Sequence, residues 1–184
     1  MLNSSFFGTF NPLEPAKIRG IFSANIYAEP IEIDAPIANV WEIMTDFDSY
    51  PEWNPLNRFF RLDSKAEPNC TVTFGPSWGP YDLSENGQFT EPDMTAHETL
   101  TIFEQNCCLA YADIRSYLKA ERVQYIKELG SEKTRYHTYE RTAGILSPIV
   151  RRKFGSKIIA GFTANGLALK KRAEARTERD QSGN

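Results

Sequence analysis

The stretch from residue 58 to 144 constrains this chain most. It divides into short segments of strand composition at 58–64, 70–75, 80–90, 97–106, 108–114, 120–129 and 133–143. Turn signals separate them: Glu67-Pro68-Asn69, Gly75-Pro76, Gly79-Pro80, Asn86-Gly87, Glu91-Pro92-Asp93 and Gly130-Ser131. Connections this short leave no room for a parallel crossover, so neighbouring strands must pair antiparallel. Asn86-Gly87 is a strong hairpin signal, because both residues tolerate the positive φ of a type I′ turn.

The segments that flank this sheet read differently. IFSANIYAEPIEID at 21–34 ends in alternation, Ile31 and Ile33 against Glu32 and Asp34, and is strand-like. Pro30 inside it marks an edge or a bulge. Ala35-Pro36 opens a helix, and Ile37, Val40, Trp41 and Met44 recur at helical spacing. The loop DFDSYPEWNPL at 46–56 follows, where Pro51 and Pro55 limit any helix to a single turn. Its aromatics either pack under the fold or line a place where something apolar binds. Ser147-Pro148 then caps and starts a long helix. Leu146, Val150, Phe154, Ile158, Phe162, Leu169 and Ala173 lie near one stripe of it. Gly155, Gly161 and Gly166 interrupt that helix, which fits a bend, a close approach to a sheet or ligand, or small residues tolerated against a tight core.

The reading is one domain at 21–177, with an irregular arm at 1–20 and a flexible tail at 178–184. Its class is α+β, an antiparallel sheet with helices on one face. Hydrophobic residues make up 41% of the 184 and charged residues 24%, enough to bury a core. A net charge of −3 carries no basic excess for nucleic acid or an anionic membrane surface. No apolar run approaches the roughly 20 residues of a membrane span. Three cysteines, Cys70, Cys107 and Cys108, and no legible signal peptide suggest reduced thiols in the cytoplasm. His97 and His137 are the two histidines, and no standard metal spacing exists.

Three pieces, IEIDAPIANVWEIMTDFDSYPEWNPL at 31–56, ERVQYIKELGSEKTRYHTYERTAG at 121–144 and IVRRKFGSKIIAGFTANGLALKKRAEA at 149–175, resemble the START-related SRPBCC superfamily. The nearest likeness is to its polyketide cyclase/dehydrase-like members, and it covers about residues 22–176. That resemblance implies the helix-grip fold: a curved antiparallel sheet wrapped around a long C-terminal helix, with two short helices after the first strand. It also implies a hydrophobic or aromatic ligand held between sheet and helix, and no cofactor. The superfamily includes both enzymes and carriers.

Strand alternation leaves two faces to choose between. One places Tyr136, Thr138, Glu140 and Thr142 inward beside Arg122, Gln124 and Ile126; the family pattern favours it. The other places Val123, Tyr125 and Leu129 inside. The more basic set Arg135, His137, Tyr139 and Arg141 reads as solvent-facing. In the favoured register Arg122 and Glu140 either pair as a buried salt bridge or form a polar wall in an apolar pocket. In the second case Glu140 is the general base, Arg122 holds an oxyanion and Tyr136 donates a hydrogen bond. Trp53, Asn54, Trp78, His97, Tyr111, Gln124, Thr138 and Phe162 are the candidate ligand contacts. His97 and Glu98 are adjacent, so only one can face inward.

Three functions remain open: a cofactor-independent cyclase or dehydratase, a carrier or sensor of a hydrophobic ligand, and a structural role with a collapsed cavity. A polar inner face favours the first two, because a purely packed core has little reason to hold Arg, Gln and Glu together.

Overall fold

The computed structural model of the protein describes residues 22–82 and 89–182. The arm expected at 1–20, the Asn86-Gly87 turn and the last two residues lie outside them. The element order is β1 (Ser23–Tyr27), β2 (Ile31–Ile33), α1 (Ile37–Thr45), a 3-10 turn (Phe47–Ser49), α2 (Tyr50–Trp53), β3 (Asn57–Leu62), β4 (Thr71–Pro76), β5 (Ala96–Glu104), β6 (Cys108–Ile114), β7 (Lys119–Gly130), β8 (Lys133–Ala143) and α3 (Ser147–Ser182). The strands form one antiparallel sheet in the order β1-β8-β7-β6-β5-β4-β3, and β2 also pairs with β8. This is the helix-grip arrangement.

Two expectations need correction. The strand at 21–34 is two strands, both on β8: β1 opposite Tyr139–Ala143 and β2 opposite Thr134–Tyr136. The break falls at Ala28–Pro30, where proline lacks a ladder donor; Ala28 N still donates to Thr138 O at 3.2 Å. The strand expected at 80–90 is not formed in its described part. Residues 80–82 and 89–95 run without strand pairing between β4 and β5.

The inner register is the one the family pattern favoured. Val72, Phe74, Leu100, Leu109, Tyr111, Ile126 and Tyr136 share a core with Trp41 and Met44 of α1 and Leu169 and Ala173 of α3. The outer face departs from its expected solvation. Tyr139 and Arg141 are only 2% exposed. Arg141 faces Glu121 across the strand pair and forms a buried ion pair with it, and Thr101 Oγ1 donates to Glu121 Oε1 at 2.6 Å. Tyr139 packs with Ile102, Cys108, Ala110, Val123 and Tyr125 in a second apolar cluster. Counting charges on a strand missed this, because each charge has a cross-strand partner that alternation alone does not reveal.

Helix α3 lies across the concave face. A Cβ at Gly161 would stand 2.8 Å from Leu56 Cδ1, and one at Gly166 would stand 2.6 Å from Ile31 Cδ1. Those two glycines let the helix approach the sheet closely; Gly155 meets nothing within 4 Å. The helix continues to Ser182, past residue 177 where its charge-rich sequence suggests fraying. Arg172 pairs with Glu52 at 2.8 Å and Arg176 with Glu42 at 2.6 Å, which ties its last turns to α1 and α2.

Candidate functional site

Between the concave face and the first half of α3 lies a cavity of about 500 Å³. Its apolar wall comes from Leu56, Phe74, Val150, Ile158 and Phe162. Trp78, Met94 and Phe154 also line it and stay exposed, so they mark its mouth. The polar lining includes Asn57, Glu98, Tyr111, Arg122 and Glu140, with Asp113, Arg115 and Lys157 also bordering the cavity. A volume of this size suits a drug-sized ligand.

Three of these side chains stand side by side. Tyr111 on β6 pairs in register with Arg122 on β7, and Arg122 with Glu140 on β8. Strand alternation turns all three to the concave face. Arg122 is 5% exposed. Its Nη1 donates to the Tyr111 hydroxyl at 3.1 Å, Nη2 to Asn165 Oδ1 at 2.7 Å and Nε to Thr138 Oγ1 at 3.4 Å. The guanidinium also lies 4.4 Å over the Phe162 ring. All these partners are neutral, and a guanidinium does not lose its proton in proteins. Among the described residues it forms no ion pair with Glu140. Its positive charge therefore faces the cavity, held in place without being neutralised.

Tyr111 has a matching role. Its hydroxyl accepts from Arg122 and from Asn57 Nδ2, at 3.0 Å. Two accepted hydrogen bonds polarise its own O–H as a donor. Burial keeps the phenol protonated, with its pKa raised.

The two carboxyl groups titrate abnormally. Burial pushes Glu140 up to about 8 against the pull of Arg122, with Glu121 adding to the rise. Burial also raises Glu98 well above its usual range, and Glu140 and Asp113 raise it further. Both keep partial exposure because they border the cavity. Among the described residues no hydrogen bond or ion pair engages either carboxyl. A desolvated carboxyl without a donor holds its proton.

Of the residues singled out in the sequence, Arg122, Glu140, Tyr111, Phe162, Trp78 and His97 meet at this cavity. His97 is at the rim: its ring is exposed and its Nδ1 lies 3.0 Å from Thr73 Oγ1. Its neighbour Glu98 is the inward one. Tyr136, Gln124 and Thr138 lie behind the wall rather than on it. The Tyr136 hydroxyl is 2.9 Å from Gln124 Oε1 and 3.3 Å from Asn165 Oδ1, so its proton is used inside the core. Trp53 is buried and donates from Nε1 to Ser49 Oγ at 3.2 Å. Asn54 Oδ1 accepts from Leu56 N and Asn57 N at 3.1 and 2.8 Å. The aromatic loop is thus packing: Phe47, Tyr50 and Trp53 stack toward Phe60, which meets Tyr111 at 5.3 Å. The loop reaches the cavity through Leu56, and Asn57 at the start of β3 lines it next.

Sequence reading missed Asn57 and Asn165. Asn165 left a usable signal, a polar residue three positions after Phe162 on the buried stripe of α3, where only a hydrogen-bonded side chain is tolerated. Asn57 left none, because a single asparagine after a proline-rich turn is ordinary. Among the described residues no group of His, Cys, Asp and Glu could hold a metal ion.

No protein-family model and no curated protein matches the sequence. Solved structures do match in shape. An aromatase/cyclase from a Streptomyces species superposes with a TM-score of 0.63 at 15% identity, covering 84% of this chain and 96% of that one. A START superfamily protein from Mycobacterium smegmatis gives 0.55 at 19%, covering 84% and 98%. Norcoclaurine synthase from Thalictrum flavum, in complex with dopamine and hydroxybenzaldehyde, gives 0.57 at 10%, covering 83% and 91%. At such identities the likeness establishes the fold, START-like helix-grip, and leaves function to the site.

Proposed function

We propose that the protein binds an apolar, aromatic small molecule bearing a carbonyl or phenolic oxygen and acts on it by cofactor-independent acid–base chemistry, as a cyclase or dehydratase does. The observation that carries this reading is the row Tyr111–Arg122–Glu140 on one cavity wall, a hydrogen-bond donor and a fixed cation beside a carboxyl with its pKa near 8. A ligand oxygen placed against Arg122 and Tyr111 would have its developing negative charge stabilised. Glu140 would take a proton from the carbon next to that carbonyl and return it elsewhere on the ligand. At pH 7 a carboxyl with a pKa near 8 is roughly one-tenth ionised, so it serves as an acid there and increasingly as a base above pH 8. Glu98 supplies a second proton site in the same cavity. Tyr136, through Gln124 and Asn165, stiffens the wall and is not a proton donor to ligand.

The test is exchange of carbon-bound protons. Aromatic 1,3-dicarbonyl compounds in D2O, followed by proton NMR, should lose their α-proton signal faster with the protein than without. Glu140→Gln should lower that acceleration by about 10²–10⁴-fold. A compound that binds yet gains no exchange would favour the second reading, a carrier or sensor. One observation supports that reading: among the described residues no partner fixes Glu98 or Glu140 in the way a catalytic carboxyl is commonly oriented. Absence of both binding and exchange across the panel would sink both.

A further inference from the structure

The buried stripe of α3 loosens toward the helix start, where Val150 is half-buried and Phe154 exposed. From Ile158 onward the stripe residues Ile158, Phe162, Leu169 and Ala173 are buried. Before that, Ile149, Arg151, Arg152, Lys153 and Phe154 are all exposed. Ile145, in the turn leading into the helix, is 64% exposed, and Phe154 is 50%. The helix start is itself packed on the fold, with Ser147 buried and Val150 against the cluster of Ile26, Ile158 and Phe162. Its outward face carries Ile149 and Phe154 into solvent, Phe154 beside the exposed Trp78 and Met94 of the cavity mouth. Single exposed apolar residues need no explanation; a group of them around one opening does.

The charges point the same way. No acidic residue occurs from Arg141 to Ala173, while Arg151, Arg152, Lys153 and Lys157 fall within two turns. Among the described residues none of those four has a carboxylate partner. Farther along the same helix Lys170, Arg172 and Arg176 pair with Glu174, Glu52 and Glu42. Cations at a helix N-terminus oppose the macrodipole, and the first turn of α3 has no acid to offset them. Nothing among the described residues accounts for four cations without a carboxylate partner at that end of the helix. The net charge of −3 concealed this segregation, because a sum over the chain cannot report where its cations lie.

We infer that the exposed face at the start of α3, together with the rim of the cavity mouth, docks on an anionic lipid surface. Cations interleaved with exposed apolar side chains are the composition an interfacial helix uses, the charges meeting head groups and the apolar groups entering the acyl boundary. An acidic protein would satisfy the four cations equally. It would not by itself require Phe154, Trp78 and Met94 to stay exposed around one opening, with Ile149 exposed earlier on the same helix. Docked this way, the mouth faces the bilayer, and an apolar ligand passes between membrane and cavity without crossing water. That consequence rests on the ligand-binding reading above; the docking does not.

The experiment is sedimentation of the full chain with phosphatidylcholine vesicles, with and without phosphatidylglycerol. Binding is expected to the anionic vesicles, weakly or not to the neutral ones, with release in high salt. Arg151→Ala, Arg152→Ala and Lys153→Ala combined should weaken it on the order of a hundredfold. Ile149→Asp should weaken it independently. Arg172→Ala with Arg176→Ala, which removes cations already paired, should leave it unchanged. All of these positions are exposed or at the surface, and thermal melts confirm that each variant is folded. Equal binding to both vesicle types, or no vesicle binding, would overturn the inference. Retention on immobilised polyglutamate without vesicle binding would overturn it in favour of an acidic protein surface.

Discussion

At the residue scale, the site depends on a cation that the fold holds but does not neutralise. Asn165 accepts from Arg122 and shares the Tyr136 hydroxyl with Gln124. Asn165→Leu removes that acceptor and leaves buried donors unpaired, a loss of about 1–3 kcal/mol. Chemical denaturation should show it as a lower midpoint, together with weaker binding of phenolic ligands. An unchanged midpoint would mean that Arg122 is held by other groups. Glu140 gives a second residue-scale prediction. Its folded pKa near 8 lies above its unfolded value near 4.5, so the native state binds the extra proton between those limits. Its contribution is intact below about pH 4.5 and is lost progressively as pH rises through 8. Glu98 shifts in the same direction for the same cause, burial. Glu140→Gln should therefore melt higher than the parent at pH 8 by a few degrees and show little difference near pH 4.5. A gain independent of pH would contradict the assignment.

At the element scale, α3 has glycines of opposite consequence. Gly166→Ala drives a Cβ to 2.6 Å from Ile31 Cδ1 and 3.1 Å from the Tyr136 ring, so the helix must lift, at a cost of about 1–3 kcal/mol. Gly155→Ala meets open space and gains up to ~1 kcal/mol of helix propensity. Thermal melts of the two variants should move in opposite directions; movement in the same direction would refute the close-packing account of Gly166. The sequence made α3, α1 and most strands legible, because their apolar periods are long and their turns carry glycine, proline or asparagine. It resolved the concave face only through family likeness, since alternation offers both faces equally. Local patterns also left the Glu121–Arg141 pair unseen and the choice between His97 and Glu98 as the inward residue undecided. Those depend on which strand lies alongside, a relation between residues 20 apart for Glu121 and Arg141.

At the scale of the whole molecule, one end of the grip is closed and the other open. Leu169, Ala173, α1 and the aromatic loop fill the closed end, with Trp41, Tyr50, Phe60 and Phe74 packed into one core. Toward the open end the first half of α3 meets the sheet through Phe162 and Ile158 and encloses the cavity of about 500 Å³. The closed end secures the fold, and the open end gives access to Arg122 and the two carboxyls. The central claim is that this cavity receives an apolar small molecule. Native mass spectrometry of the freshly purified protein, set against its denatured mass, tests it most directly. The expected result is a small-molecule adduct lost on denaturation, or, for protein purified empty, a thermal shift with aromatic phenols and ketones that Arg122→Ala abolishes. An empty protein with no thermal shift across aromatic and acyl ligands would contradict it and leave the polar wall a structural feature alone.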